Sequence, residues 1–493
     1  MNLADERLKE LDNPTLTEDE RVLLRCRVAA DLIHKGQYEA AQEALGELWL
    51  GVGQRPPERN LPPAVDAEVL LQCGTLTSWL GFVRNVSGAQ EQAKDILSEA
   101  ARTFRAQGMH AKVSEAQYEL GMCYWWLGEH GEARVVLQEA LTPLTDAELE
   151  LKAKILIRRT IVEAWENRYH DALSILKEAE PVFQSANDAL KGKWHGQRAI
   201  CLMHLAAAEQ RPDYADRAII EFTAAIYHYE QARHERYCGI NLNNLAFLLY
   251  KLGRYRDAHE HLDRAQLIFT KLKDPGILAQ VDETRARVLV AEKRYRDADR
   301  IIGGVIKTFE QGSESALLAD ALAVQGVVWA RLGAHEGSLN ILREAMRVAQ
   351  DSGALTQAGH AALTMIEEHG LTWRVEEAEL LKTYHRANAL LKGSQDAEDK
   401  ERRLACSQIV IKRLSGMQLH DKNFTFYGAV EELEARLIEQ ALELEGGNIT
   451  RAADRLGLKR QTLSQMLQAR HKKLFGKRTP PTPRLKSIIK KDS

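Results

Sequence analysis

Small residues return at a fixed interval along most of this chain. Ala218, Ala258, Ala298, Ser338 and Ala378 stand 40 residues apart, and Ala41, Ala93, Ala133 and Ala172 carry the same frame toward the N-terminus. A tyrosine or histidine precedes several anchors by three residues: His130, Tyr169, Tyr255, Tyr295 and His335. Upstream in the same units stands a second small residue, Gly81, Gly121, Ala246 or Gly326. Two small residues in one unit let a pair of helices cross closely, so each unit is expected to be a helical hairpin. A lone hairpin cannot bury its apolar face; neighbours must stack, and stacking with a constant rotation gives a superhelix with a concave groove. The expected fold class is all-α.

The local text supports a specific resemblance. Gly253-Arg254-Tyr255-Arg256-Asp257-Ala258, with Leu245 and Ala246 upstream and Leu262 and Ala265 downstream, resembles a tetratricopeptide (TPR) unit. Leu80-Gly81 with Gly88, Leu120-Gly121 with Tyr124 and Gly128, and Gly326 with Trp329 and Gly333 match the same frame. About nine hairpins are expected over residues 1–391. The period exceeds the common TPR length of ~34 residues, which implies longer helices or longer turns. The step from Ala41 to Ala93 is longer still, and Pro56, Pro57, Pro62 and Pro63 place its surplus in a loop near 51–63. The resemblance assigns the groove face to Asn85, Tyr118, Trp125, Asn243, Tyr250, Glu283 and Arg287, and a protein or peptide as its occupant. In peptide-binding TPR proteins an asparagine at the place of Asn243 clamps the ligand backbone; an ordinary polar groove is the alternative here. Trp125, Trp126, Trp165 and Trp329 are expected to pack between helices.

The formal charge of −3 hides an uneven distribution. After Glu445 there are 13 Lys/Arg against Asp454 and Asp492, whereas the preceding residues hold 54 Lys/Arg against 68 Asp/Glu. An acidic body with a basic end points to a polyanionic partner for that end. The six cysteines are scattered without a C-x-x-C pair and read as small buried hydrophobes, not metal ligands or disulfides. No apolar run reaches the ~18 residues of a membrane span. Met1 to Glu20 lacks a basic start followed by an apolar stretch. The expected compartment is the cytoplasm, at the nucleoid, with no membrane partner.

The repeat text stops near Leu391. Residues 392–425 read as a connecting segment: KGSQDAEDKERR is a linker or the start of a charged helix, and Leu404 to Leu414 looks helical. Residues 426–474 carry a different signal. Val430, Leu433, Leu437, Ile438, Ala441 and Leu442 form one stripe of an amphipathic helix, ended by Gly446-Gly447. Ile449 to Leu463 then reads as two short helices, with Ala453 at the crossing and Gly457 at the turn. Leu437 to Leu467 is similar to the Fis-type DNA-binding domain that ends NtrC-class activators. That resemblance implies double-stranded DNA as partner. It places Arg460 and Thr462 toward the groove and Asn448 and Thr450 at phosphate, with Lys459, Ser464 and Gln465 as further recognition positions beside Arg451 and Gln461. Ser464 and Gln465 are neutral where Fis is basic. Arg470, Lys472, Lys473, Lys477 and Arg478 extend the positive surface into a basic tail, 475–493, able to track phosphates.

The ATPase module of NtrC-class activators is absent: no G-x-x-x-x-G-K-[ST] occurs, and Gly303-Gly304-Val305-Ile306-Lys307-Thr308 lacks its spacing. His259-Glu260-His261 lacks the H-E-x-x-H spacing of a zinc protease. No G-x-S-x-G and no dinucleotide fingerprint is present, so neither catalysis, a metal nor a cofactor is expected. The expected function is a sequence-specific transcriptional regulator, homodimeric on DNA across half-sites ~34 Å apart, whose array senses or recruits a protein, peptide or small molecule. The alternative is an interaction scaffold whose helix-turn-helix serves protein contacts or non-specific DNA tethering.

Overall fold

The computed structural model describes residues 15–34, 36–84, 86–312, 315–372, 375–394, 396–415 and 425–477. All regular structure among them is helical. The chain divides into two compact units, one of the described residues up to 364 together with 389–401, the other of 365–388 together with 402 onward.

The first unit is built from hairpins: α1 (Glu18–His34) with α2 (Tyr38–Leu45), α3 (Pro63–Val83) with α4 (Ala89–Ala106), α5 (His110–Trp126) with α6 (His130–Leu141), and α7 (Leu149–Trp165) with α8 (Tyr169–Glu178). A short α9 (Glu180–Gln184) precedes α10 (Asp188–Ala208), which pairs with α11 (Pro212–Gln231). Then come α12 (Glu235–Lys251) with α13 (Tyr255–Leu272), α14 (Pro275–Ala291) with α15 (Tyr295–Glu310), and α16 (Ser315–Arg331) with α17 (His335–Asp351). The long period is carried by the helices: those from α12 to α17 have 16–18 residues, about 26 Å for 17 residues. Their turns remain as short as 252–254 and 273–274. The surplus before Ala93 is the irregular stretch from Trp49 to Pro62, as the prolines imply.

The crossings explain the anchors. Ala41, Ala93, Ala133, Ala172, Ala218, Ala258, Ala298 and Ser338 are all fully buried. Where a glycine stands in the first helix no Cβ fits: one added to Gly121 would stand 2.7 Å from the Leu137 side chain, and one on Gly326 only 2.5 Å from Leu342. Where serine replaces alanine, the Ser338 hydroxyl donates to the Gly326 carbonyl across the same crossing at 2.6 Å, which satisfies a buried polar group. The second helices α2, α6, α8, α13, α15 and α17 start on their tyrosine or histidine, and a backbone bond closes the turn before them, as where Glu129 N–H donates to the Tyr124 carbonyl, Arg254 to Leu249 and Ala334 to Trp329. Apolar residues from consecutive hairpins merge into continuous cores, for example Phe222, Leu242, Leu262 and Phe269. The six cysteines are buried and joined by no disulfide, and burial raises their thiol pKa values.

Two features depart from the simple frame. Ala378, the last 40-residue anchor, lies in α19 (Glu377–Leu390), which follows α18 (Leu355–His369); it is exposed, and Leu380, Thr383 and Ala387 are the residues that helix buries. Residues 389–401, with the text of a linker or charged helix start, belong to the first unit. They lead into α20 (Ala397–Ser415) and are tied to the repeats by ion pairs of Glu398 with Lys251 (2.8 Å) and Asp399 with His360 (2.7 Å), and by a Gln210 to Glu401 hydrogen bond.

The second unit contains α21 (Phe426–Leu444), α22 (Ile449–Arg455) and α23 (Arg460–Ala469), followed by a 3₁₀ turn, Lys472–Lys477. No helix of the described residues is long and apolar enough to cross a membrane.

Candidate functional site

The helix-turn-helix has a small closed core of its own. Ile438, Ala441 and Leu442 of α21, Ala452 and Ala453 of α22, and Leu463 and Leu467 of α23 are buried together, with Leu456, Leu458 and Leu474 around them. Gly457 adopts φ +67°, a conformation that strains any side chain, and lets Leu458 N–H reach the Ala453 carbonyl at 2.8 Å. Gly446 and Gly447 end α21 in the same way, with Gly447 N–H on the Leu442 carbonyl. Asn448 caps α22: its side-chain oxygen accepts from the N–H groups of Thr450 (3.0 Å) and Arg451 (3.2 Å). The amide nitrogen of Asn448 is left pointing away from its capping task, able to donate to an anion.

Because Leu463 and Leu467 bury one face of α23, the opposite face is presented outward. Arg460, Gln461, Thr462 and Gln465 are exposed and Ser464 is half-buried. Gln468, three residues beyond Gln465, shares that face; the family pattern used above stops short of it, but i, i+3 periodicity from Gln465 finds it. The cations around this helix fall into two sets. Arg451, Lys459, Arg460, Lys472 and Lys473 are exposed and form no ion pair among the described residues. Arg455 is bound to Glu445 (2.6 Å), and Arg470 shares Glu434 with the buried His471 at 3.3 and 3.1 Å. Of the expected DNA contacts among the described residues, Arg470 is thus the one whose charge already has a carboxylate. The side chain of Lys477 and the whole of Arg478 lie outside the described residues.

In the array, the expected groove residues separate into different places. Tyr118 lines a cavity of about 500 Å³. Tyr250, Glu283 and Arg287 form a cluster with Asp320, in which Glu283 pairs with Arg287 and burial raises the pKa of Tyr250 and Asp320. Trp125 packs edge-on against Trp126 and Trp165, at 4.4 and 5.0 Å between ring centres. Asn243 has a buried side-chain oxygen with no hydrogen-bond partner, and Asn85 lies outside the described residues.

The cavity is walled mostly by first helices, from Ile33 and His34 of α1 through α5, α7 and α10 to Arg236, Tyr237 and Asn241 of α12. Arg158 of α7 donates to the Tyr118 carbonyl at 2.6 Å, and its guanidinium lies 3.4 Å over the Tyr118 ring. Lys193 of α10 stands 5.2 Å over the Tyr237 ring. Burial, aided by Arg158 and Lys154, pushes the Lys193 pKa down to about 8. Arg158 and Lys193 were not among the expected groove residues. The available signal was the period: Tyr118 and Arg158, Gln197 and Tyr237, and Ile200 and Ile240 are pairs of wall residues each 40 apart.

No curated protein matches the chain in sequence. Among solved structures, the apo form of RapI aligns at 15% identity and a TM-score of 0.49, over 80% of this chain and 99% of that one. A signal-transduction STAND protein with a tetratricopeptide repeat sensor from Pyrococcus horikoshii aligns at 13% identity and 0.48, over 81% and 56%. Aspartyl phosphate phosphatase F from Bacillus subtilis aligns at 12% and 0.46, over 84% and 99%. The model of the Fis family of bacterial regulatory proteins matches residues 429–469, a span that runs from α21 to the end of α23. After a TPR-like array of helical hairpins, the chain therefore carries a helix-turn-helix of the Fis family.

Proposed function

We propose that this chain is a DNA-binding transcriptional regulator, in which the helix-turn-helix reads a specific sequence and the array senses or recruits a partner. The observation that carries this reading is the outward face of α23, flanked by five cations that no carboxylate neutralises among the described residues. A ten-residue helix, about 15 Å long, fits the major groove of B-DNA. Arg460 at its N-terminal end is the base-reading side chain; Arg451, Lys459, Lys472 and Lys473 meet phosphates, as does the Asn448 amide. One such helix offers few base contacts, and a two-fold pair doubles them. Leu437 and Leu444, exposed on one side of α21 beside the face its own core uses, are the proposed seam of that homodimer. No catalytic step and no cofactor belongs to this reading, which places the protein in the cytoplasm at the nucleoid.

The test is selection of sites from a random duplex library by the full chain, followed by salt-dependent mobility shifts. The expected result is an enriched two-fold motif, bound more tightly than scrambled DNA and progressively released by salt. Recovery of no enriched motif, or no binding at low salt, overturns the proposal.

A further inference from the structure

The cavity in the array combines an unusual set of groups. Its walls include the apolar side chains Ile157, Ile161, Ile200 and Ile240, the rings of Tyr118 and Tyr237, and the cations Lys154, Arg158, Lys193 and Arg236. One carboxylate, Glu119, lines it. Lys154 is matched by Glu150 (2.7 Å), Arg236 by Asp274, and Arg158 by Glu119 (3.4 Å). Lys193 has no such match: it forms no ion pair among the described residues, its charged end lies over the Tyr237 ring, and Glu150, the partner of Lys154, is the carboxylate that acts on it from a distance. A largely desolvated cation without an ion-pair partner is costly, and here two further cations, Arg158 and Lys154, stand near it and outweigh Glu150. An anion entering the cavity would remove that cost, while the isoleucines and tyrosine faces would hold an apolar or aromatic body. A volume of this size suits a drug-sized molecule.

We propose that the cavity binds a small organic anion, a carboxylate or phosphate on an apolar body, with Lys193 and Arg158 taking the acid group. Arg158 is held in place by the Tyr118 carbonyl and ring, so its remaining N–H groups are fixed in direction. Lys193 supplies the compact charge. Hairpins from the first to the sixth contribute to the wall, so occupancy couples the curvature of the array to the ligand. This deepens the reading of the array as a sensor, and its test involves no DNA, so either can fail alone.

The test uses the full chain with three probes that share one ring system: 1-naphthoate, 1-naphthyl phosphate and the neutral 1-naphthalenemethanol, by calorimetry and thermal shift. The expected result is that at least one anion binds and raises the melting temperature, with the alcohol weaker by about tenfold or more. Binding by the carboxylate alone, or by the phosphate alone, names the acid group. Lys193→Met should lose the anion preference, and Lys193→Arg should keep it. A bound anion should also protect Lys193 of the unaltered chain from an amine-reactive label, read by mass spectrometry, which holds even if a variant misfolds. The proposal is overturned if neither anion binds at up to roughly 5 mM, if the alcohol binds as well as the anions, if folded Lys193→Met binds the anions unchanged, or if Lys193 is not protected.

Discussion

The array cavity and the helix-turn-helix both gather cations on helices, and they place them in opposite environments. Arg158 and Lys193 are enclosed, each against a tyrosine ring, and burial lowers the Lys193 pKa to about 8. Arg451, Lys459 and Arg460 stand in solvent without an ion-pair partner among the described residues. The difference teaches what each set can recognise. Enclosed cations act at short range in a low dielectric, so geometry selects the ligand and salt screens little. Exposed cations act on a polyanion by displacing its counterions, so their effect is additive and salt-sensitive.

Four experiments can break or sharpen that contrast. The largest effect is expected from Leu463→Ala, which empties the centre of a core made of residues 438–474 alone; about 2–5 kcal/mol should be lost from that core. DNA binding should vanish while binding of 1-naphthyl phosphate and the main helical melting transition stay put. A joint downward shift of both would show that the two regions are not energetically separate. Next, Arg460→Ala should cost about 1–3 kcal/mol on the selected DNA site and little on scrambled DNA. Equal losses on both would reduce Arg460 to a phosphate contact.

A smaller change is expected from Asn448→Ala, which removes the cap of α22 and should lower the stability of the helix-turn-helix by about 1 kcal/mol. If Asn448 also meets phosphate, Asn448→Ser, which can still cap, should recover stability but not the full DNA affinity. Last, the array should respond to pH. The Lys193 proton leaves the folded chain near pH 8 but the unfolded chain only near the ordinary lysine value. Above pH 8 the unfolded state therefore binds more protons, and array stability gains as pH rises through that window. The advantage of Lys193→Met over the unaltered chain should be full below pH 8 and shrink by about pH 9.5. An advantage that stays constant would show that the charge is not the cause.

What was legible in the sequence followed from local sterics. A close helix crossing admits only small side chains, so the eight buried anchors from Ala41 to Ser338 are visible as a period. Gly446, Gly447 and Gly457 mark turns because their positive φ excludes other residues at little strain. Periodicity is a weaker guide where burial depends on what comes next. Ala378 keeps the 40-residue step yet is exposed, and the polar text of 392–401 docks on the array through ion pairs that only the fold brings together. The cavity was least legible. Tyr38 and Tyr237 come within electrostatic range of one another through accumulated rotation of the hairpins, and no window of sequence contains both. Tyr118 was found because its place in one repeat is enough; Lys193 becomes distinctive only when its neighbours from other repeats are known.

The wall of the cavity and the crossings of the hairpins use largely different residues, with Tyr229 and Gly196 serving both. Tyr118, Arg158, Gln197, Tyr237 and Ile240 face inward, whereas Gly121, Ala133, Ala218, Ala246 and Ala258 hold the helices together. Mutational drift can therefore rewrite much of the chamber one letter at a time while the joints hold. Descendants of one such scaffold should answer to different chemical messengers while keeping nearly the same skeleton.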